Sequence, residues 1–416
     1  MVKFFPILLL LFLILAMPVI TPPVSGRTGS GDVPVLIWSD TIGVHKTLVS
    51  CSGDGRYILA GSDTGILRMY NLNGAVLWTF NRDGKAVRSV AISGNGDYAG
   101  AVFLNEEGPS SSAYGEVVFF NRNGKVLWVT STDPTVELIT ISDDSNAVYV
   151  SAGSGILYSY SRDGTMLAKN ASDGRIWALD SARDGSFAVA GSKIMGNRLM
   201  AMKKDGVTAW NYSTKVGFGS VDISPDGGSV AAAGYSHLFL FDRNGTLLWQ
   251  YNGSSDFTNV AVSADGKYTA AGSQYYARLF SSNGSVLWMY QYEGYVHDVA
   301  ISDNGDSVIA GSSLGLDIFD REGNVLWNFN TPSAIVHVSA ARDAGIFAAG
   351  TAEMVYVFSR GGNVNGTKSG TDQKLARTIP VQATVPQTSV KAPVDPVITI
   401  LGLAGNALGM IILRKR

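Results

Sequence analysis

The chain has 416 residues, 16% of them charged, with a formal net charge of −2, a balance that excludes any global attraction to nucleic acid or anionic lipid. Forty-eight glycines and eight tryptophans point to a turn-rich β protein rather than a helical or disordered one. The single cysteine, Cys51, excludes an intrachain disulfide and any cysteine-based metal cluster.

Residues 1–26 contain one basic residue, Lys3, then an apolar run over 4–20 and a stretch of Pro, Ser and Gly. This is the layout of a secretory signal peptide, with the small residues Val24 and Gly26 before a cleavage point near Arg27. An uncleaved anchor is the alternative. Next comes "VPVLIW" at 33–38, an apolar strand with no hairpin partner beside it in sequence.

From here the chain repeats itself. The octets "NLNGAVLW" (71–78), "NRNGKVLW" (121–128), "DRNGTLLW" (242–249), "SSNGSVLW" (281–288) and "DREGNVLW" (320–327) write one turn and one tryptophan again and again. Trp210, Trp249, Trp288 and Trp327 are each 39 residues apart; Trp38, Trp78 and Trp128 precede them at intervals of 40 and 50. Ala168 in "SRDGTMLA" stands where a further tryptophan belongs, which makes eight positions. A second turn recurs as often: "SGDG", "SGNG", "SDDS", "ARDG", "SPDG", "SADG", "SDNG" and "ARDA", beginning at Ser52, Ser93, Ser142, Ala182, Ser224, Ser263, Ser302 and Ala341. Asn-Gly and Asp-Gly supply the positive φ angles of tight hairpins, and the segments between them alternate or run apolar as short strands.

Four strands per unit of about 40 residues is the sequence form of a β-propeller blade. After Trp327 the pattern supplies three more strands and stops, so the orphan at 33–38 completes the last blade and leaves no open edge. The expected fold is all-β: one eight-bladed propeller over 33–360, with four-stranded blades, closed by the N-terminal strand. Trp38, Trp78, Trp128, Trp210, Trp249, Trp288 and Trp327 are then repeated scaffold, wedged between neighbouring blades.

These repeats resemble a known family. "DRNGTLLWQY" and "NRNGKVLWVT" are similar to the pyrroloquinoline-quinone-like (PQQ-like) propeller repeat, and "SADGKYTAAGS" and "SPDGGSVAAAG" are similar to WD-like repeats. The resemblance covers roughly 33–360 and implies the fold; enzymes, assembly factors and scaffolds all use such repeats. The quinoprotein enzymes among them carry a calcium-bound cofactor and often a disulfide between adjacent cysteines, which one cysteine rules out here.

Both short turns of each blade lie at one end of the ring. The varied connections therefore emerge at the other, where the second blade also inserts "LNEEGPSSSAYGE" (104–116). Variable loops on a rigid ring are the expected binding surface. Aligned on their turns, the innermost strands place Arg88, Glu137, Trp177, Thr258 and His297 at one equivalent position at this mouth, with His337 one residue further on and His45 two earlier. Arg88, Glu137, Trp177, His297 and His337 are the candidate binding residues. The staggered histidines lack a metal-ligand spacing, Asp180 and Asp222 on adjacent blades read as channel-lining aspartates, and no nucleotide or hydrolase motif occurs. No catalytic residue, metal or cofactor is assigned.

Residues 361–396, rich in Gly, Thr, Pro and Val, read as a flexible stalk. The uncharged segment 397–413 followed by "RKR" (414–416) reads as a single transmembrane helix of roughly 26 Å with a cytoplasmic tail, or as a sorting signal removed after export. Six Asn-x-Ser/Thr sequons, at Asn170, Asn211, Asn244, Asn252, Asn283 and Asn365, fit an exported chain. The expectation is a single-pass cell-membrane protein whose propeller, outside the cytoplasm, binds a protein, glycan or envelope component without catalysis and without nucleic acid. The alternative is a quinoprotein-like enzyme acting at the channel mouth.

Overall fold

The computed structural model describes residues 33–105, 115–131, 133, 135–193 and 196–360. The signal segment, the stalk, 397–413 and its tail, and most of the insertion lie outside the described residues. Among those described, no helix is long and apolar enough to cross a membrane.

Thirty-two strands form eight four-stranded antiparallel sheets. Seven blades are consecutive in the chain: blade 1 (47–81), blade 2 (85–130), blade 3 (136–171), blade 4 (176–213), blade 5 (220–252), blade 6 (257–291) and blade 7 (296–330). Each runs from innermost strand a to outermost strand d. Blade 8 takes strands a to c from 337–359 and its strand d from the N-terminus, where Val35–Thr41 pairs antiparallel with Met354–Ser359. First and last blades are thereby knit into one ring.

The burial pattern explains the strand composition. Strands b and c are covered on both sides and read as continuous apolar runs, such as "YILAGS" (Tyr57–Ser62) and "FAVAGS" (Phe187–Ser192). The core lies between the blades rather than within them: eight apolar clusters each join one blade to the next, including the one across the closure that holds Ile37, Val49, Ile58 and Val357.

The repeated octet has a specific geometry. In strand d a β-bulge precedes the tryptophan, so that Met69 faces Trp78 while Tyr70 faces Val76, and Leu77 is left out of the ladder. The bulge turns the indole inward and leaves the leucine exposed (Leu77, Leu127, Leu167, Leu248, Leu287 and Leu326). Six of the seven indoles lie on the c–d turn glycine of the following blade, and Trp327 packs instead on Phe347 and Phe358 of blade 8, whose strand c has no c–d turn. A Cβ added to Gly74, Gly124, Gly164, Gly245, Gly284 or Gly323 would sit 2.5–2.8 Å from the ring carbons of Trp38, Trp78, Trp128, Trp210, Trp249 or Trp288. These glycines also hold φ near +80°, so both space and backbone conformation demand glycine. Trp38, Trp78, Trp128 and Trp210 donate their indole N–H to the carbonyl two residues before that glycine, at 2.8–3.0 Å. Where Ala168 replaces tryptophan, Ser159 on the paired strand donates to the corresponding carbonyl of Lys204 at 2.8 Å.

Deleting residues 33–41 removes strand d of blade 8 and exposes the edge of Met354–Ser359. Gel filtration and thermal melting should show aggregation and loss of the intact chain's cooperative transition. A truncated chain that elutes and melts like the intact one would refute closure by this strand.

Candidate functional site: a crown of bulge residues at the channel mouth

Strand a contributes the channel wall, and in five blades its ladder is interrupted at the same place. The register skips one residue between Val87 and Ser89, Val136 and Leu138, Ile176 and Ala178, Phe257 and Asn259, and Val296 and Asp298. The skipped residues are Arg88, Glu137, Trp177, Thr258 and His297. A bulge frees a side chain from the alternation of its strand, and here it sets five of them around the loop-face mouth.

Their neighbours divide them. Arg175 forms an ion pair with Glu137, with Nε 3.3 Å from Oε2, and its guanidinium lies 4.6 Å above the exposed ring of Trp177. Thr258 Oγ1 donates to the Val296 carbonyl at 2.6 Å. His297 Nε2 is 3.1 Å from Ser313 Oγ and its ring stacks on Tyr295; burial holds its pKa below the usual histidine range. Arg88 is exposed. His337 follows a regular register, with Nδ1 3.9 Å from Asp298 Oδ2. His45 pairs instead with Asp63 at the exposed surface, and His237 stacks on Phe239. Among the described residues no three His, Cys, Asp or Glu side chains are grouped to hold a metal ion.

Around this crown the loops carry exposed aromatics. Tyr275 and Tyr295 lie 5.8 Å apart, and Tyr235 sits under the Lys193 ammonium at 4.4 Å. Tyr235 adopts φ +49°, costly for a bulky residue. It follows Gly234, where an added Cβ would meet the Gly217 carbonyl oxygen at 1.6 Å.

Below the crown, polar side chains of strand a clasp the next blade. Ser89 Oγ accepts from the Ile139 amide (3.2 Å), Asp180 from Ile223 (2.8 Å), Asp222 from Val262 (2.6 Å), Asp298 from Val338 (2.7 Å) and Ser339 from Cys51 (2.9 Å). Each satisfies an amide that the open edge of strand a would otherwise leave without a partner. Asp180 and Asp222 also hydrogen-bond each other. Burial raises both carboxyls, Asp180 to about 6, and the charge of each disfavours ionisation of the other, so the pair shares a proton. Burial also pushes the Cys51 thiol up to about 12, which makes it inert as a nucleophile.

Charged pairs cross the opposite end of the channel. The residue after the Ser or Ala that opens each a–b turn is, from blade 1 to blade 8, Gly53, Gly94, Asp143, Arg183, Pro225, Ala264, Asp303 and Arg342. Arg183 of blade 4 reaches Asp303 of blade 7 in a bidentate pair (2.7 and 2.8 Å), and Arg342 of blade 8 reaches Asp143 of blade 3 (2.5 Å). Arg183 Nε also lies 3.8 Å from Asp143, so the two cross-channel pairs join. Glycine makes room for them: a Cβ on Gly94 would lie 2.6 Å from the Asp143 carboxyl, and one on Gly53 would lie 2.9 Å from Arg342 Nε. These pairs bridge the hairpin end of the channel, whereas the loop face has the bulges.

The fold and the crown define the class, an eight-bladed propeller of PQQ-like repeats. The chain belongs to the family described as outer membrane protein assembly factor BamB, whose sequence profile matches residues 36–215 and 113–272. Among solved structures it is similar to the crystal structure of BamB from Moraxella catarrhalis, with 18% identity and a TM-score of 0.61 over 79% of this chain and 100% of that one. At that identity the likeness speaks for the fold alone. No curated protein sequence matches the chain.

Two predictions follow from the channel's charges. A carboxyl whose folded pKa is raised binds more protons folded than unfolded, so its stability contribution is present below its ordinary pKa of 3.8 and is lost as pH rises through the folded value, about 6 for Asp180. Asp222→Asn keeps an acceptor for Val262 and a donor for Asp180 without the second charge. Its melting temperature relative to wild type should therefore climb between pH 4 and pH 7; a difference that stays constant with pH would contradict the shared proton. A double-mutant cycle on Arg183→Ala and Asp303→Ala should give a coupling of about 1 kcal/mol in denaturant unfolding, as expected for a half-exposed bidentate pair. Strict additivity would mean that the cross-channel bond is not made in solution.

Proposed function

We propose that this protein is a non-catalytic scaffold of the cell envelope that holds a partner protein on its loop face. The observation that carries this reading is the crown. Five bulges aim side chains at one mouth, yet Glu137, Thr258 and His297 are each tied to a neighbour. Exposed Trp177, Tyr235, Tyr275 and Tyr295 around them are the residue types that anchor protein interfaces. The family's description as an assembly factor supports the same reading. A glycan ligand would use the same aromatic rings and is the finer alternative within it. The signal segment 1–26 and the apolar segment 397–413 support export and tethering at the cell membrane, with the propeller outside.

A photo-crosslinking residue placed at Tyr275 in the native host should trap one discrete partner on intact cells, and the same residue at Asn123 on the hairpin face should not. Equal labelling from both faces, or a purified protein that carries a bound quinone, would overturn the scaffold reading.

A further inference from the structure

The six Asn-x-Ser/Thr sequons are equivalent as motifs, but the fold treats them differently. Asn365 lies outside the described residues. The other five stand in blades 3 to 6, on outermost strands or on the c–d turns that lead into them. Two are products of the hairpin itself. The c–d turn uses Asn-Gly for its positive φ, and Thr246 or Ser285 directly after the glycine completes the sequon at Asn244 or Asn283. Blades 1 and 2 write the same turn with Ala75 and Lys125 in that place, so Asn73 and Asn123 lack the hydroxyl.

Four of the five are open. Asn211, Asn244, Asn252 and Asn283 are exposed, and among the described residues their Nδ2 amides form no hydrogen bond. Where these side chains are held, the oxygen holds them. Asn252 Oδ1 accepts from Gln250 Nε2 (2.8 Å), and Asn283 Oδ1 accepts from Ser281 Oγ (2.6 Å) and the Ser285 amide (3.1 Å). Of the partner hydroxyl residues, Ser213, Thr246 and Ser254 are exposed and Ser285 is half-buried.

Asn170 is closed. Its Nδ2 donates to the Gly206 carbonyl (3.1 Å) and to Thr208 Oγ1 (2.7 Å), both on blade 4, and Ser172 of the same sequon is buried. Both amide protons are thus engaged in the seam where Ala168 stands in place of an indole. A sugar on this nitrogen would displace one of the two bonds and lie between blades. That holds for a folded ring and for a chain modified before it folds.

We propose that Asn211, Asn244, Asn252 and Asn283 are N-glycosylation sites and that Asn170 is not, so that sugars coat the outer wall of blades 4 to 6 and leave the crown clear. The donor is a glycosyl phosphate ester, acted on by a transferase of the host. Nδ2 attacks the anomeric carbon, and the C–N bond forms as the C–O bond to phosphate breaks. The phosphate leaves with the electron pair, and the amide gives up one proton to a base of the transferase. The proposal rests on export of the propeller, which belongs to the reading above.

The test is glycopeptide mass spectrometry of the full chain purified from its native host, with protease shaving of intact cells beside it. Sugars should be found on two or more of the four open asparagines and not on Asn170. Substituting Gln at an occupied site should remove one glycan mass from the intact chain, and Asn170→Gln should remove none. Where a Gln variant fails to fold, Ser213→Ala, Thr246→Ala, Ser254→Ala or Ser285→Ala removes the hydroxyl and keeps the asparagine. Lys125→Thr completes a sequon on an equally exposed turn and should add one glycan mass, at Asn123. A sugar on Asn170, fewer than two occupied open sites, or no gain from Lys125→Thr would overturn the proposal. If protease reaches an unmodified propeller, export stands and this proposal alone fails; if protease does not reach it, the two fail together.

Discussion

The contact on which the architecture rests is an indole lying on a glycine. Six strand-d tryptophans cover the c–d turn of the next blade, where the glycine has neither a side chain to obstruct the ring nor a cost for its left-handed φ. Because the hydrophobic clusters lie between blades, no blade can bury its own apolar faces. The ring must close to be stable, and Val35–Thr41 makes the last blade whole. The interface without an indole shows what the contact requires. At Ala168 the area is lost, but the hydrogen bond to the turn carbonyl is kept by Ser159.

A ring held together at its rim leaves its centre free to vary, and the innermost strands use that freedom at three heights. At the hairpin end, Arg and Asp pairs bridge blades that are not neighbours. At mid-height, Asp and Ser side chains cap the amide of the next strand a. Asp180 and Asp222 there retain one charge between them, in a position where hydroxyls do the same bonding elsewhere in the ring. At the loop end, bulges release side chains from the ladder. Rigidity below and variability above are a workable division for a protein that must present a fixed surface.

Much of this was legible in the sequence. The tryptophan spacing, the two families of turns and the orphan strand at 33–38 state the blade number and the closure, because a repeat writes its periodicity directly into the chain. The equivalence of Arg88, Glu137, Trp177, Thr258 and His297 was also readable from turn alignment, though not its cause, since a bulge depends on hydrogen-bond register that side-chain identity does not reveal. Less visible was everything that crosses the channel. The series Gly53, Gly94, Asp143, Arg183, Pro225, Ala264, Asp303, Arg342 sits in plain view within the turns, but partners 120 and 199 residues apart are related only by ring geometry.

The channel's two ends are electrically different, and that difference gives the mouth its character. Two arginines and two aspartates bridge the hairpin end, so the cluster contributes no net charge, and its pairs are too short-range to project a field through the channel. On blades 3 and 4, Glu137 and Arg175 cancel in the same way. What remains among the described residues of the loop face is exposed charge of both signs outside any ion pair, Lys46, Arg88 and Lys215 against Asp256, Glu293 and Glu353. The mouth is thus a surface of mixed, unpaired charge on a protein whose net charge is only −2. The surrounding rings of Tyr275, Tyr295 and Trp177 offer apolar contact beside it. A partner that satisfies both must combine charged or polar groups with an apolar surface, a narrower requirement than the propeller fold alone imposes.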